Sequence, residues 1–132
     1  MATNDQKSVL FTINQSYIDK YGLNQKFLGK KIVIYNNRYT HIENHKLDFS
    51  SIQAYEDAVS NITSIIITPD FIAMDNKNNS LLFIKKLYDN TLVAARIAAS
   101  SDLKVRTMYP ITENKKNKLL LNSLPVKNLV KN

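Results

Sequence analysis

Ser80-Leu-Leu-Phe-Ile-Lys-Lys-Leu-Tyr88, Thr91-Leu-Val-Ala-Ala-Arg-Ile-Ala-Ala99 and Leu103-Lys-Val-Arg-Thr-Met-Tyr-Pro-Ile111 follow one another with only Asp89-Asn90 and Ser100-Ser101-Asp102 between them. The runs are rich in strand-forming residues and the gaps in turn formers, so three antiparallel strands are expected. Just upstream, residues 65–68 are apolar and β-branched, Pro69-Asp70 interrupts them, and residues 71–74 resume the pattern. An Asn-, Asp- and Lys-rich stretch at 75–79 marks the next loop. The second half therefore reads as an antiparallel β-meander of about four strands. A basic helix from Glu113 to near Ser123 follows, with Pro125 as its stop and an apolar-basic tail over 119–130.

The first half carries different signals. Residues 8–13 suit a short strand, and 15–21 a short helix closed by Gly22. Residues 31–35 are a β-branched run, after which Asn36 and Asn37 can cap a helix starting near Arg38. Ile52, Tyr55, Val59 and Ile62 recur at helical spacing, with Ser50 or Ser51 as cap. The expected class is α+β, with N-terminal helices packed on the meander and a basic helix at the C-terminal end. Residues 1–30 are expected to be an extension packed on a domain spanning 31–132, within one globular unit.

A register follows if Tyr88 faces Thr91 and Ala99 faces Leu103. Lys86, Thr107 and Tyr109 then share one sheet face, together with Leu82, Ile97 and Val105, which would pack beneath the N-terminal helices. Lys85, Arg96 and Arg106 would line the opposite face. A loop longer by one residue would exchange these sets.

The 132 residues suffice for one domain with a real core. A hydrophobic fraction of 44% and a charged fraction of 22% fit a folded chain. The absence of cysteine excludes a disulfide scaffold and thiolate metal sites. The two glycines, Gly22 and Gly29, cannot build a phosphate-cradling loop, which removes kinase, P-loop and dinucleotide-binding readings. No apolar run reaches the roughly 18 residues of a membrane helix, and the start lacks a secretion-signal layout, so no membrane association and a cytoplasmic location are expected. A net charge of +7 favours polyanionic partners.

Both histidines fall in Arg38-Tyr-Thr-His41-Ile-Glu-Asn-His45. On a helix, 38, 41, 42 and 45 share a face, which would set a fixed cation beside two groups that titrate near neutral pH. Spacing by four also suits two metal ligands, but Ile42 stands where a zinc protease needs glutamate, and a third ligand would have to be Asp48 or Glu56. Capping or packing is the plainest alternative. We expect no metal and no cofactor. In residues 105–110, Thr107 and Tyr109 are ordinary strand formers that could equally bond a phosphate oxygen and stack on a base. Lys115, Lys116 and Lys118 suit either a solvated helix face or an RNA-backbone track.

The order of these pieces resembles the barnase–EndoU–colicin–RelE-like nuclease superfamily of phages and mobile elements. The resemblance lies in Arg38…His41-Ile42…His45, in 66–72 (Ile-Ile-Thr-Pro-Asp-Phe-Ile), in Phe83-Ile84-Lys85-Lys86, and in Arg106-Thr107-Met108-Tyr109 followed by Lys115-Lys116. It covers roughly residues 31–120. It implies a metal-independent endoribonuclease that attacks through the ribose 2′-hydroxyl and leaves a 2′,3′-cyclic phosphate, in a toxin or phage-borne effector. The implied catalytic set is His41, His45, Arg38, Lys86 and Thr107, with Lys85, Arg96, Arg106, Tyr109, Lys115 and Lys116 on the substrate. The implied partners are RNA, with tRNA as a candidate, and a cognate inhibitor protein. A non-catalytic accessory module that binds nucleic acid or protein is the rival reading.

Overall fold

The structure, a computed structural model, describes residues 6–98, 102–121 and 123. The expected stop at Pro125 and most of the tail to 130 lie outside the described residues. Strands β1 (Lys7–Thr12), β2 (Lys31–Tyr35), β3 (Phe71–Asp75), β4 (Ser80–Lys86), β5 (Asn90–Ile97) and β6 (Asp102–Pro110) form one sheet in the order β1-β2-β6-β5-β4-β3. The helices are α1 (Gln15–Tyr21), α2 (Asn36–Glu43), α3 (Ile52–Ser60), α4 (Ile62–Ile67) and α5 (Glu113–Leu121). The class is α+β as expected, but the sheet has six strands, because β1 and β2 join the meander. It is also mixed: β2 runs parallel to β6, pairing Lys31 with Asp102 and Ile32 with Leu103.

Local chemistry explains most of the elements. Asn14 accepts from the Tyr17 amide at 2.9 Å to start α1, and Gly22 ends it at φ 69°, a left-handed conformation glycine adopts without a Cβ penalty. Ser51 caps α3 through the Ala54 amide at 3.0 Å. The helix after β2 begins two residues earlier than expected, at Asn36, with Tyr35 as a cap that makes no side-chain bond.

Residues 65–68 do not form a strand: Ile65, Ile66 and Ile67 belong to α4. Helical spacing lets Ile62, Ile65 and Ile66 enter the core together, where alternation would expose every second one. Side chains hold the C-terminal end of the helix. The Tyr17 hydroxyl donates to the Ile66 carbonyl, Tyr21 to the Pro69 carbonyl at 2.9 Å, and Lys85 Nζ to the Thr68 carbonyl at 2.7 Å. A lysine placed there also complements the helix dipole. Burial against these partners pushes the Tyr17 phenol well above its ordinary value.

The sheet divides the core in two. One face carries Ile72, Leu81, Phe83, Val93, Ala95, Leu103, Val105 and Met108 beneath α1, α3 and α4. The other carries Phe71, Ala73, Leu82, Ile84 and Leu92, with Tyr109 of β6 and Leu119 of α5 packed against them.

The register differs from the expected one at both turns. Lys86 pairs with Asn90, so three residues, Leu87 to Asp89, form the β4–β5 turn in place of two. This rotates β5 by one residue: Leu92 and Ala94, not Val93 and Ala95, share a face with Ile84. On β6, Ala94 pairs with Thr107 but Ala95 with Val105, which leaves Arg106 as the extra residue of a β-bulge. Thr107 and Tyr109 keep the face of Leu82, whereas Ile97 and Val105 turn to the helix-covered face. The expected grouping of Ile97 and Val105 with Thr107 is thereby corrected.

Candidate functional site

Where α5 leaves the second face uncovered, a cleft of about 490 Å³ opens. Its floor is apolar, from Leu82, Leu92 and Ala94, with Leu119 of α5 at one side. Along β6 it is lined by Arg106, Thr107 and Tyr109, across the sheet by Arg96, and from above by Arg38 and His41 of α2. The bulge is what brings Arg106 in. Expected with Lys85 and Arg96 on the opposite face, Arg106 and Arg96 instead line the same cleft as Thr107. Ile42, next to His41 in sequence and fully buried, anchors α2 while Arg38 and His41 face the cleft.

Three guanidinium groups therefore meet. Arg38 Nη1 donates to the Arg106 carbonyl at 3.2 Å, which ties α2 to the bulged residue of β6. Partial burial, then the nearby Arg96 and Arg38 cations, lower the Arg106 pKa. Like charges gathered this closely are relieved by an anion, and a guanidinium fork suits phosphate oxygens. Thr107 Oγ1 lies buried among them with no hydrogen-bond partner. Such a group costs about 1–3 kcal/mol unless a ligand satisfies it.

The titrating groups lie alongside. His41 is shifted below its ordinary value, first by desolvation, then by Arg38, His45 and Arg106. It is therefore neutral and able to accept a proton at neutral pH. The His45 ring stands 6.2 Å from that of His41 and 5.4 Å from Tyr109. Its Nδ1 is hydrogen-bonded to Asp48 Oδ2 at 3.0 Å. Lys115 Nζ lies 5.5 Å from the centre of the Tyr109 ring, so Tyr109 has both a histidine and a lysine against it.

Other candidates sit apart. Lys85 turns to the helix-covered side, where it bonds Thr68. Lys86 is exposed beyond the cleft, its amide donating to Asp70 Oδ2 at 2.8 Å. Lys116 pairs with Glu113 at 3.6 Å. The cleft also contains residues not anticipated from sequence: Met74, Asp75, Asn78 and Ser80, brought in by the β3–β4 hairpin. The 75–79 loop is visible as a turn in the sequence, but its position over the cleft depends on tertiary packing. Asp75 is held below the ordinary carboxylate range chiefly by the Asn78 side chain, which donates at 2.8 Å. Among the described residues, no three His, Asp or Glu side chains gather as a metal-binding group, and no helix is long and apolar enough to cross a membrane.

The fold and cleft define a small α+β domain that gathers three arginines and a histidine around one open cleft. Residues 9–118 match the family described as phage-Barnase-EndoU-ColicinE5/D-RelE like nuclease 3, and the chain belongs to that family. No curated protein and no solved structure matches it significantly. Family membership supports a nuclease-like function, with nucleic acid as the substrate class.

Proposed function

We propose that the protein is a metal-independent endoribonuclease acting through the substrate's own 2′-hydroxyl. The observation that carries this reading is the unpartnered Thr107 hydroxyl, set among Arg38, Arg96 and Arg106 next to a neutral histidine. In this mechanism the ribose 2′-oxygen attacks phosphorus and the bond from phosphorus to the 5′ oxygen breaks. The products are a 2′,3′-cyclic phosphate and a 5′-hydroxyl. His41 takes the proton from the 2′-hydroxyl. His45, oriented through Nδ1 by Asp48, delivers a proton to the leaving oxygen. The three arginines stabilise charge developing on the nonbridging oxygens, and Thr107 donates to one of them. Tyr109 positions His45 and Lys115 rather than stacking on a base, since its ring already lies against both.

The test is incubation with single-stranded RNA and tRNA in EDTA, beside His41→Ala. Discrete products ending in cyclic phosphate, absent with the variant, are expected. No cleavage, or equal cleavage by His41→Ala, overturns the reading.

A further inference from the structure

An odd spacing on β6 carries the basic surface beyond the cleft. Lys104 and Thr107 stand three apart, which on a regular strand would send them to opposite faces. The bulge at Arg106 cancels this. Lys104 pairs with Arg96 and Thr107 with Ala94, and Arg96 and Ala94, two apart on β5, share a face. Lys104 therefore lies on the cleft side of the sheet, its Cβ about 5 Å from that of Arg96. Ser80, Arg96 and Lys104 form one row across β4, β5 and β6, and the row continues to Val33 of β2. Ser80 and Arg96 line the cleft, and Lys104 is exposed one strand further on.

The Lys104 side chain is also placed. Its ammonium stands 5.6 Å from the centre of the Tyr35 ring, at the end of β2 where α2 begins. Asp102, two places before Lys104, is engaged by Lys7 of β1 at 3.2 Å. A fixed ammonium beside a guanidinium suits a backbone phosphate, and its continuity with the arginines of the cleft suits a chain of phosphates rather than a single anion.

We infer that Lys104, together with Arg96, holds the phosphate next to the one in the cleft, so that the RNA strand leaves across β6 toward β2, with Tyr35 positioning the Lys104 ammonium. This rests on the ribonuclease reading for the strand's identity, and the subsite itself is tested without catalysis. The experiment measures anisotropy of fluorescein-labelled 2′-O-methyl di-, tetra- and hexanucleotides, which cannot be cleaved. It compares wild type, Lys104→Glu, Lys104→Gln, Tyr35→Leu and Tyr35→Phe. Lys20→Glu, on α1 across the sheet, controls for net charge.

For wild type, Tyr35→Phe and Lys20→Glu, affinity should rise severalfold from dinucleotide to tetranucleotide. Lys104→Glu should lose that gain, and Lys104→Gln and Tyr35→Leu part of it. The slope of log affinity against log salt should become shallower by about 0.7 in Lys104→Gln, for the one phosphate no longer neutralised. Equal gains in the wild type and both Lys104 variants, no gain in wild type, or no binding at any length overturns the inference. A gain in Tyr35→Leu equal to that of wild type overturns the positioning role of Tyr35. A gain that depends on Lys104, without cleavage of natural RNA, would support the subsite while overturning the ribonuclease reading.

Discussion

The same strands build both faces of the sheet, yet the faces have opposite fates. Beneath α1, α3 and α4 the side chains are closed over, and Phe83, Leu81, Val93 and Ala95 are fully buried. On the other face, among the described residues, Leu119 of α5 packs against the sheet while α2 contributes Arg38 and His41 to the cleft. A few positions away from Phe71, Ile84 and Leu92, the strands carry arginines and a threonine without a partner, and a cleft lies open. Strand alternation makes both outcomes from one sequence, and what lies on top decides which becomes core. One face is built for stability and the other retains unmet hydrogen-bonding and charge, which binding can satisfy.

Substitutions can break this division. His41→Ala should reduce RNA cleavage by about two to four orders of magnitude while leaving the melting temperature unchanged, because His41 is exposed on α2. Parallel cleavage assays and thermal melts would show whether activity and stability separate this way. Phe83→Ala, on the covered face, should do the reverse in kind, costing about 3–5 kcal/mol in urea denaturation. Thr107→Val keeps the shape and removes the unpartnered hydroxyl. It should slow cleavage roughly 10²-fold while stability holds or rises slightly, since no internal hydrogen bond is lost. A marked loss of stability would place Thr107 with the core instead.

The smallest effect concerns pH. His41 is shifted below 6.5 by desolvation and then by its cationic neighbours, and the proposed base works unprotonated. Activity should therefore rise with pH at a midpoint below 6.5. Arg38→Gln removes one repelling charge, so the midpoint should move upward toward 6.5 even as the rate falls. A pH–rate profile of the two proteins would resolve it.

Features set by near neighbours are legible in the sequence: Gly22 ending α1, Ser51 starting α3, the strand character of the meander and the joint presentation of Arg38 and His41 on one helix face. Features set by distant ones are not. The three isoleucines of α4 have strand propensity, but burial of Ile62, Ile65 and Ile66 together, with Tyr17 and Tyr21 bonding the end of the segment, overrides it. Register escapes the sequence for a related reason. A turn one residue longer than expected and a bulge at Arg106 are each single-residue events, yet each exchanges the faces of whole sets of side chains. Strand alternation alone sets Arg96 and Arg106 on the face away from Thr107, and the fold unites all three with Arg38.

The parallel seam between β2 and β6 couples assembly of the cleft to the arrival of β6. β2 leads directly into α2 with Arg38 and His41, whereas Arg106, Thr107 and Tyr109 come from β6, with ~70 residues separating the paired strands. Contacts between segments so far apart close a long loop and form late, since the closure entropy is offset only once the intervening hairpins are in place. During synthesis the histidine helix therefore emerges with no arginine cluster opposite it. The cleft comes into being only when β6 inserts between β2 and β5, so the strand that joins the two parts of the sheet also brings the arginine cluster to the histidine helix.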